Sequence, residues 1–469
     1  MNTDSPATAT DTERPDALGI RQRLALFVLL TASFTLAVDF SILNVALPRI
    51  GREVGFGLAD LQWIATSFAV CAAGFTLFFG RCADLFGRRR QFLAGTALLG
   101  VASLVGGLAN EPWVLIAARI AQGIATAAVT PAALSLLTTS FPEGRLRDRA
   151  LGINGALMAA GFTTGAVLGG LLTDLVSWRW AFFVNVVVAV VVLMIAPAVL
   201  RETRSTERPR LDTVGALTVT LALAAAVFGL TQASEHSWGD ARSWGSLIFA
   251  AVMVIAFVVT ERVVRDPLVP LGVLRRRAIA WGNIAGVIAF ATETSIVFLL
   301  TLYLQNVRAF SPLQAGLVFA VLGVGTVIGG LVAPRMIARI GATRAIVVGL
   351  AVQAAATIPL AFLDLMSGWL VVVLVGTFVG GVANLVAIVG FMVTATTGIC
   401  DEEQGLATGL ATMSQQIGIT VGTPAMSASA AGLSLGVSTA VVVNAGFCVV
   451  VSAVVGLALR ARSNSTARR

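Results

Sequence analysis

Apolar stretches of about 20 residues, the length needed to cross a bilayer as a helix, recur along this chain from Leu24 almost to its end. They fall near 24–47, 61–80, 91–109, 112–137, 150–173, 180–200, 211–231, 244–263, 280–304, 312–334, 343–363, 368–397, 405–431 and 436–459. Only 12% of the 469 residues are charged, where a soluble chain of this length carries roughly 25%. The fold class that follows is an all-α integral membrane protein with fourteen transmembrane helices. A secretory signal would be a single early apolar run ahead of a soluble chain, which is not the pattern here.

An even number of spans puts both termini on one side, and arginine says which. The chain has no lysine, so its 32 basic residues are all arginine. With the N-terminus cytoplasmic, 26 arginines fall in cytoplasmic tails and connections and 5 (Arg49, Arg52, Arg179, Arg242 and Arg308) on the other side, leaving Arg119 within a span. Positive charge collects inside in this way in membrane proteins. The net charge of +8 is therefore topology, with anionic lipid as its contact, and not a nucleic-acid footprint. Trp63, Trp113, Trp178, Trp180, Trp238, Trp244 and Trp369 fall at the outer boundaries and Trp281 at an inner one, as an interfacial belt requires. The expected location is the cell membrane, multi-pass, with both termini cytoplasmic.

Other chemistries find no support in the residues. Cys71, Cys82, Cys400 and Cys448 have no paired spacing, and the single histidine, His236, sits in a polar connection; no metal site is expected. There is no G-x-x-x-x-G-K-[ST] phosphate loop and no long soluble segment. The organisation expected is a disordered cytoplasmic tail (1–23), a six-helix bundle (24–200), a linker carrying two extra helices (201–279), a second six-helix bundle (280–460) and a cytoplasmic tail (461–469). Two repeats around a midplane site are a common transporter plan.

Four segments carry a family resemblance. Gly80-Arg-Cys-Ala-Asp84-Leu-Phe-Gly87-Arg88-Arg89-Arg90 matches G-x-x-x-D-x-x-G-R-[KR]. Asp39-Phe-Ser-Ile-Leu-Asn44-Val-Ala-Leu47-Pro48 matches D-x-[TS]-x-x-N-x-A-L-P. Arg119-Ile-Ala-Gln122-Gly123 matches R-x-x-Q-G. Gly161-Phe-Thr-Thr-Gly165-Ala-Val-Leu-Gly169-Gly170 is similar to G-x-x-x-G-P-x-x-G-G, with Ala166 where the pattern has proline. Smaller matches are Trp178-Arg179-Trp180 running to Asn185, and Gly405 to Gly418 in the penultimate span; Pro334 to Gly341 is a degraded echo of the Asp84 loop. Together they resemble the major facilitator superfamily, and within it the fourteen-helix drug:proton antiporters.

The resemblance implies the major facilitator fold and a proton-coupled exporter working by alternating access. Its substrate would be a lipophilic, possibly cationic, drug or antibiotic. It implies no cofactor, the proton gradient being the driving force, and a monomer in the lipid. The Asp84 loop would be the conformational switch, with Gly80 and Gly87 allowing a tight turn. The four glycines would let another helix approach closely. Asp39 and Arg119 lie at similar depths, about 13 and about 10 Å below the outer surface by helix rise, and are expected to interact directly or through water. Glu293 lies near the middle of its span. An ionisable residue in a span is a functional candidate by default, but each acid also has a bland reading, Asp39 as a carboxylate merely paired in the bundle and Glu293 as a neutral, internally hydrogen-bonded acid. Asn44, Gln122, Asn154, Asn283, Asn384 and Asn444 offer further polar contacts and are equally suited to helix packing. A carrier of a small metabolite stays open as the second reading, and a membrane-embedded enzyme as a remote third.

Overall fold

The computed structural model describes residues 19–460 except 44, 58–59, 142–144, 203–211, 236–237, 266, 270, 275, 366–367, 397–400 and 433–435. The expected tails (1–18 and 461–469 of them), Asn44, His236 and Cys400 therefore lie outside the described residues. Among those residues the chain is helical throughout, with no strand. The helices are α1 (Ile20–Ile42), α2 (Leu47–Val54), α3 (Gln62–Phe86), α4 (Arg88–Leu108), α5 (Pro112–Ser140), α6 (Arg145–Leu175), α7 (Trp180–Val199), α8 (Thr213–Glu235) and α9 (Ala241–Val263). They continue with α10 (Leu271–Leu274), α11 (Arg277–Leu302), α12 (Pro312–Ile340), α13 (Ala342–Thr357), α14 (Trp369–Thr396), α15 (Asp401–Gly432) and α16 (Gly436–Arg460).

Twelve helices among the described residues are long and apolar enough to span a membrane. The difference from the fourteen expected is α6 and α15. α15 is 32 residues long but starts with three acids and carries more hydroxyl and amide side chains, so its apolar signal is diluted. α6 is 31 residues long; its longest unbroken run of described side chains, Thr164–Leu175, is apolar.

The first span also ends earlier than expected. Pro48 enters at the first turn of α2, where a missing N–H costs nothing, and α2 is a separate helix of 8 residues. Asp39 thus sits one turn from the end of α1. Elsewhere the local signals are conventional. Ser311 and Gln314 form a reciprocal capping box at the start of α12, with Pro312 in its first turn. Asp240 caps α9 through the Arg242 amide at 2.8 Å.

The packing repeats itself. In one half α1 packs on α6, α3 on α5, α4 on α5 and α7, and α7 on α1; in the other, α11 packs on α15, α12 on α14, α13 on α14 and α16, and α16 on α11. The halves meet along α6–α12 and α3–α15. The hairpin of α8 and α9 lies outside this scheme, with α8 laid against α3 and α15. α9 is the most exposed span, with 11% of its apolar window buried; Ile248, Val252, Ile255 and Val259 all face outward. Apolar surface on that scale faces lipid, not water.

Glycine sets the closest helix approaches. A Cβ on Gly161 would lie 2.8 Å from Ala37 Cβ, one on Gly165 would collide with Ser41 Oγ, and one on Gly169 with the Ile42 carbonyl. These three residues therefore press α6 onto α1 beside Asp39. Gly170 faces elsewhere: its Cβ would lie 2.5 Å from the Pro312 carbonyl of α12, in the other half. Gly316 of α12 returns the contact, 2.9 Å from the Ala166 carbonyl. The position that carries proline in the antiporter pattern is thus buried at the seam between the halves.

At the tryptophan-rich face, α2 is clasped to the α6–α7 connection. Trp178 Nε1 donates to Glu53 Oε2 at 2.7 Å and Arg49 Nε to Glu53 Oε1 at 3.1 Å. Burial pushes the Glu53 carboxyl up, but those two hydrogen bonds and the Arg49 and Arg179 charges outweigh it and hold the group below its usual range. Arg179 donates to the carbonyls of Gly107 and Ala109 at 2.9 and 2.7 Å. The Trp-Arg-Trp stretch ties three connections together.

Replacing Gly165 by valine drives a branched side chain into Ser41 and Val38, and overpacking of this kind costs about 1–3 kcal/mol. Thermal unfolding in detergent should show a lowered Tm for Gly165→Val. Gly245→Ala, at a position with nothing within 4 Å, should leave it unchanged or slightly raised; equal losses in both would disprove the close approach.

Candidate functional site

Asp39 and Arg119 are each 1% exposed. α1 brings the carboxylate from one direction and α5 the guanidinium from the other, and they meet with Arg119 Nη1 3.1 Å from Asp39 Oδ2. Arg119 is held on three further sides. Its Nε donates to the Ile64 carbonyl of α3 at 2.9 Å, Nη1 also donates to Gln122 Oε1 at 2.9 Å, and the guanidinium carbon lies 4.1 Å over the Phe68 ring. Gln122 lies one turn along α5 from Arg119, on the same face. Its Nε2 donates to Ser103 Oγ of α4 at 2.8 Å and to Asp39 Oδ1 at 3.4 Å. Asn185 of α7 donates from Nδ2 to Asp39 Oδ1.

The site thus draws on α1, α3, α4, α5 and α7. Gly123, beside Gln122, makes it possible: a Cβ there would lie 2.8 Å from Cys71 Cβ and would strike the Phe68 carbonyl. The R-x-x-Q-G spacing puts a cation, its orienting amide and the gap for α3 into five residues.

Every hydrogen-bond partner of Asp39 among the described residues is a donor. A carboxylate that accepts from a guanidinium and two amides uses three of its roughly four lone-pair positions, and Asp39 is the counter-charge of the buried Arg119.

The second half builds the same polar cross-brace without charge. Gln353 of α13 donates to Thr292 Oγ1 at 3.1 Å. Asn384 of α14 donates to the Ala289 carbonyl at 2.9 Å and to Gln353 Oε1 at 3.2 Å. Asn444 of α16 donates to the Thr292 carbonyl and Ser295 Oγ at 2.9 and 3.0 Å. Helix for helix, α11, α13, α14 and α16 occupy the places of α1, α4, α5 and α7.

Glu293 does not join Asp39. It faces a small cavity inside the second bundle, lined also by Gln353, Thr357, Thr377 and Asn384, with Phe319 and Leu322 as apolar wall. It makes no hydrogen bond or ion pair among the described residues. The Asn384 Oδ1 atom is likewise buried without a partner among them.

At the arginine-rich face the Asp84 segment is not a loop. Asp84 is in the last turn of α3, and Gly87 alone links α3 to α4, at φ +109°, a conformation that favours glycine. Arg88 Nη2 lies 2.8 Å from Asp84 Oδ1. Gly80 departs from its expected role: it is inside the helix, its nearest neighbour the Pro131 Cβ at 3.9 Å, so it makes neither a turn nor a tight contact. Glu202, which sequence reading missed, caps α4 by accepting from the Arg89 and Arg90 amides at 3.1 and 3.2 Å. Arg89 reaches the Pro197 carbonyl at 2.6 Å.

Ser103, Phe68 and Asn185 were also missed as site residues. Asn185 was signalled, since the Trp178-Arg179-Trp180 resemblance ends on it. Ser103 and Phe68 carry no local signal.

Residues 29–423 match the family described as the Major Facilitator Superfamily. The chain belongs to that superfamily. It is therefore a transporter and not an enzyme. Among curated relatives, it is 38% identical over 404 residues to the cephamycin export protein CmcT of Amycolatopsis lactamdurans, covering 84% of this chain and 82% of that one. It is 34% identical over 421 residues to the puromycin resistance protein pur8 of Streptomyces alboniger, covering 89% and 83%. The superfamily fold is seen also in the POT family transporter PepTSo, at TM-score 0.71 with 13% identity over 95% of this chain and 99% of that one.

Removing one member of a buried ion pair costs about 3–5 kcal/mol, mostly because the other charge is stranded. Asp39→Asn and Arg119→Gln should each destabilise the transporter on that scale. The double variant should lose less than the two singles together, by about 0.5–3 kcal/mol, in a thermal or denaturant unfolding cycle. Strict additivity would show the pair to be energetically unlinked.

Proposed function

We propose that this superfamily member is a proton-coupled exporter of lipophilic antibiotic-like compounds, cationic ones included, working by alternating access. The observation that carries the reading is the buried Asp39–Arg119 pair, in which a proton on Asp39 would leave Arg119 without its counter-charge. The names of the relatives, a cephamycin exporter and a puromycin resistance protein, support the substrate class. In this reading α6 and α15 also cross the bilayer, giving fourteen spans, and the arginine-rich face with both termini is cytoplasmic. The proton gradient is the driving force and no cofactor takes part. The working unit is a monomer.

The cycle couples two acids in different bundles. In the state described, Asp39 is ionised and clamps Arg119 to Gln122 and the α3 carbonyl of Ile64. A proton on Asp39 releases Arg119, and α1 can shift against α5. The glycine face of α6 carries that shift to α12 through the Gly170–Pro312 and Gly316–Ala166 contacts. Glu293, unpaired beside Asn384 and Gln353, is the acid that meets a donor or cationic group of the substrate. Acids within a span serve as such sites.

One residue favours the second reading, uniport or symport of a small metabolite: Ala166 stands where the antiporter pattern has proline, and it lies at the seam between the halves.

The test is reconstitution in liposomes with an imposed pH gradient and a panel of lipophilic cations and neutral antibiotics, read by a pH-sensitive dye. A compound should drive proton movement in the parent, and Asp39→Asn or Glu293→Gln should abolish it. Solute flux without proton movement, unchanged in both variants, would replace antiport by the second reading.

A further inference from the structure

Two carboxyl groups outside the transport site are buried against each other at the arginine-rich base of the extra hairpin. Asp212, at the start of α8, and Glu261, in the last turn of α9, are each 4% exposed. One oxygen of each is accounted for. Asp212 Oδ1 accepts from the Gly215 amide at 2.7 Å, and Glu261 Oε2 accepts from the Val269 amide at 2.9 Å. The other two, Asp212 Oδ2 and Glu261 Oε1, are buried with no hydrogen-bond partner among the described residues. They point at the same place: a Cβ on Gly215 would collide with Asp212 Oδ2 and lie 2.9 Å from Glu261 Oε1.

Among the described residues the surroundings supply one positive charge; Arg204, Arg208, Arg210 and Asp266 lie outside them. Arg81 of α3 is the cation whose field reaches Glu261. Its Nη2 donates to the Pro267 carbonyl at 2.8 Å, in the strap that also carries Val269. Arg262 and Arg265 are exposed, as are Arg276 and Arg277 at the start of α11. α15, which packs on α8, has no charged residue beyond Glu403; the side chains of 401–408 lie outside the described residues. Two carboxylates facing one guanidinium leave a buried excess of one negative charge, which low-dielectric surroundings penalise heavily. A single proton between Oδ2 and Oε1 removes the excess and gives both oxygens a partner.

We propose that Asp212 and Glu261 form a proton-binding site, holding one proton between their facing oxygens. The site lies outside the Asp39–Arg119 centre and is independent of the export reading. Its occupancy fixes a connection. With the proton in place, Glu261 holds Val269, and Pro267 of the same connection holds Arg81, three residues before Asp84. Loss of the proton sets two negative charges against each other at the junction of the hairpin with the α3–α4 turn.

The experiment is infrared difference spectroscopy of the purified full chain in lipid nanodiscs, titrated with pH and without substrate, in a Glu293→Gln background so that the midspan acid does not contribute. The expected result is a protonated-carboxyl band that disappears in both Asp212→Asn and Glu261→Gln. Side-chain 13C labelling of aspartate alone and of glutamate alone needs no further substitution, and a shared proton makes the same band shift with each label. The proposal is overturned by a band that survives either substitution, by a band that shifts with only one label, or by the absence of any such band. It is also overturned if added sodium or magnesium at fixed pH removes the band, which would make the pair a cation site.

Discussion

A carboxylate and a guanidinium withdrawn from water to 1% exposure persist only if each remains the other's counter-charge and every remaining hydrogen-bonding position is filled. That requirement organises the first bundle. Gln122 and Asn185 donate to Asp39 Oδ1, while Ile64 and Phe68 hold Arg119 from α3. Gly123 lets α3 come close enough to do so, and the glycine face of α6 brings α1 against the rest. The helix approaches, the amides and the charges are consequences of one constraint.

The near-duplicate in the second bundle shows what the charge adds. Gln353, Asn384, Asn444 and Thr292 brace α11, α13, α14 and α16 with neutral hydrogen bonds, so cross-bracing alone does not need an ion pair. The pair is confined to one half and Glu293 is confined to the other. The two bundles are alike as scaffolds and different as electrostatic devices. They meet along α6–α12, where the close contacts run through glycine and backbone carbonyls, and along α3–α15, where Thr420 donates to the Ala69 carbonyl at 3.0 Å.

Much of this was legible in the sequence, for identifiable reasons. Membrane spans announce themselves through length and hydropathy because the bilayer forces every backbone group to be satisfied within the helix. Asp39 and Arg119 stood out because charge in a span is costly, and opposite helix directions placed them at comparable depth. α15 gave a weaker signal in composition because a long helix that faces partners instead of lipid tolerates polar residues. Ser103 and Phe68 were invisible, since an ordinary serine and phenylalanine gain their roles only through the neighbour that α5 presents. Gly80 was misread because the pattern fixes spacing without fixing where the helix stops. Gly87, not Gly80, makes the turn. Glu202 caps α4 from 112 residues away, a distance over which no local pattern reports.

The claim on which the account rests is that substrate and proton compete through the Asp39–Arg119 network. It is tested most directly without a membrane gradient, by adding a transported compound to the detergent-solubilised protein in weakly buffered solution and following pH with a dye. The account predicts that binding is accompanied by proton release in the parent and that this release is lost in Asp39→Asn, with binding itself retained. Binding with no proton exchanged in the parent, or proton release that is unchanged in Asp39→Asn, would contradict it.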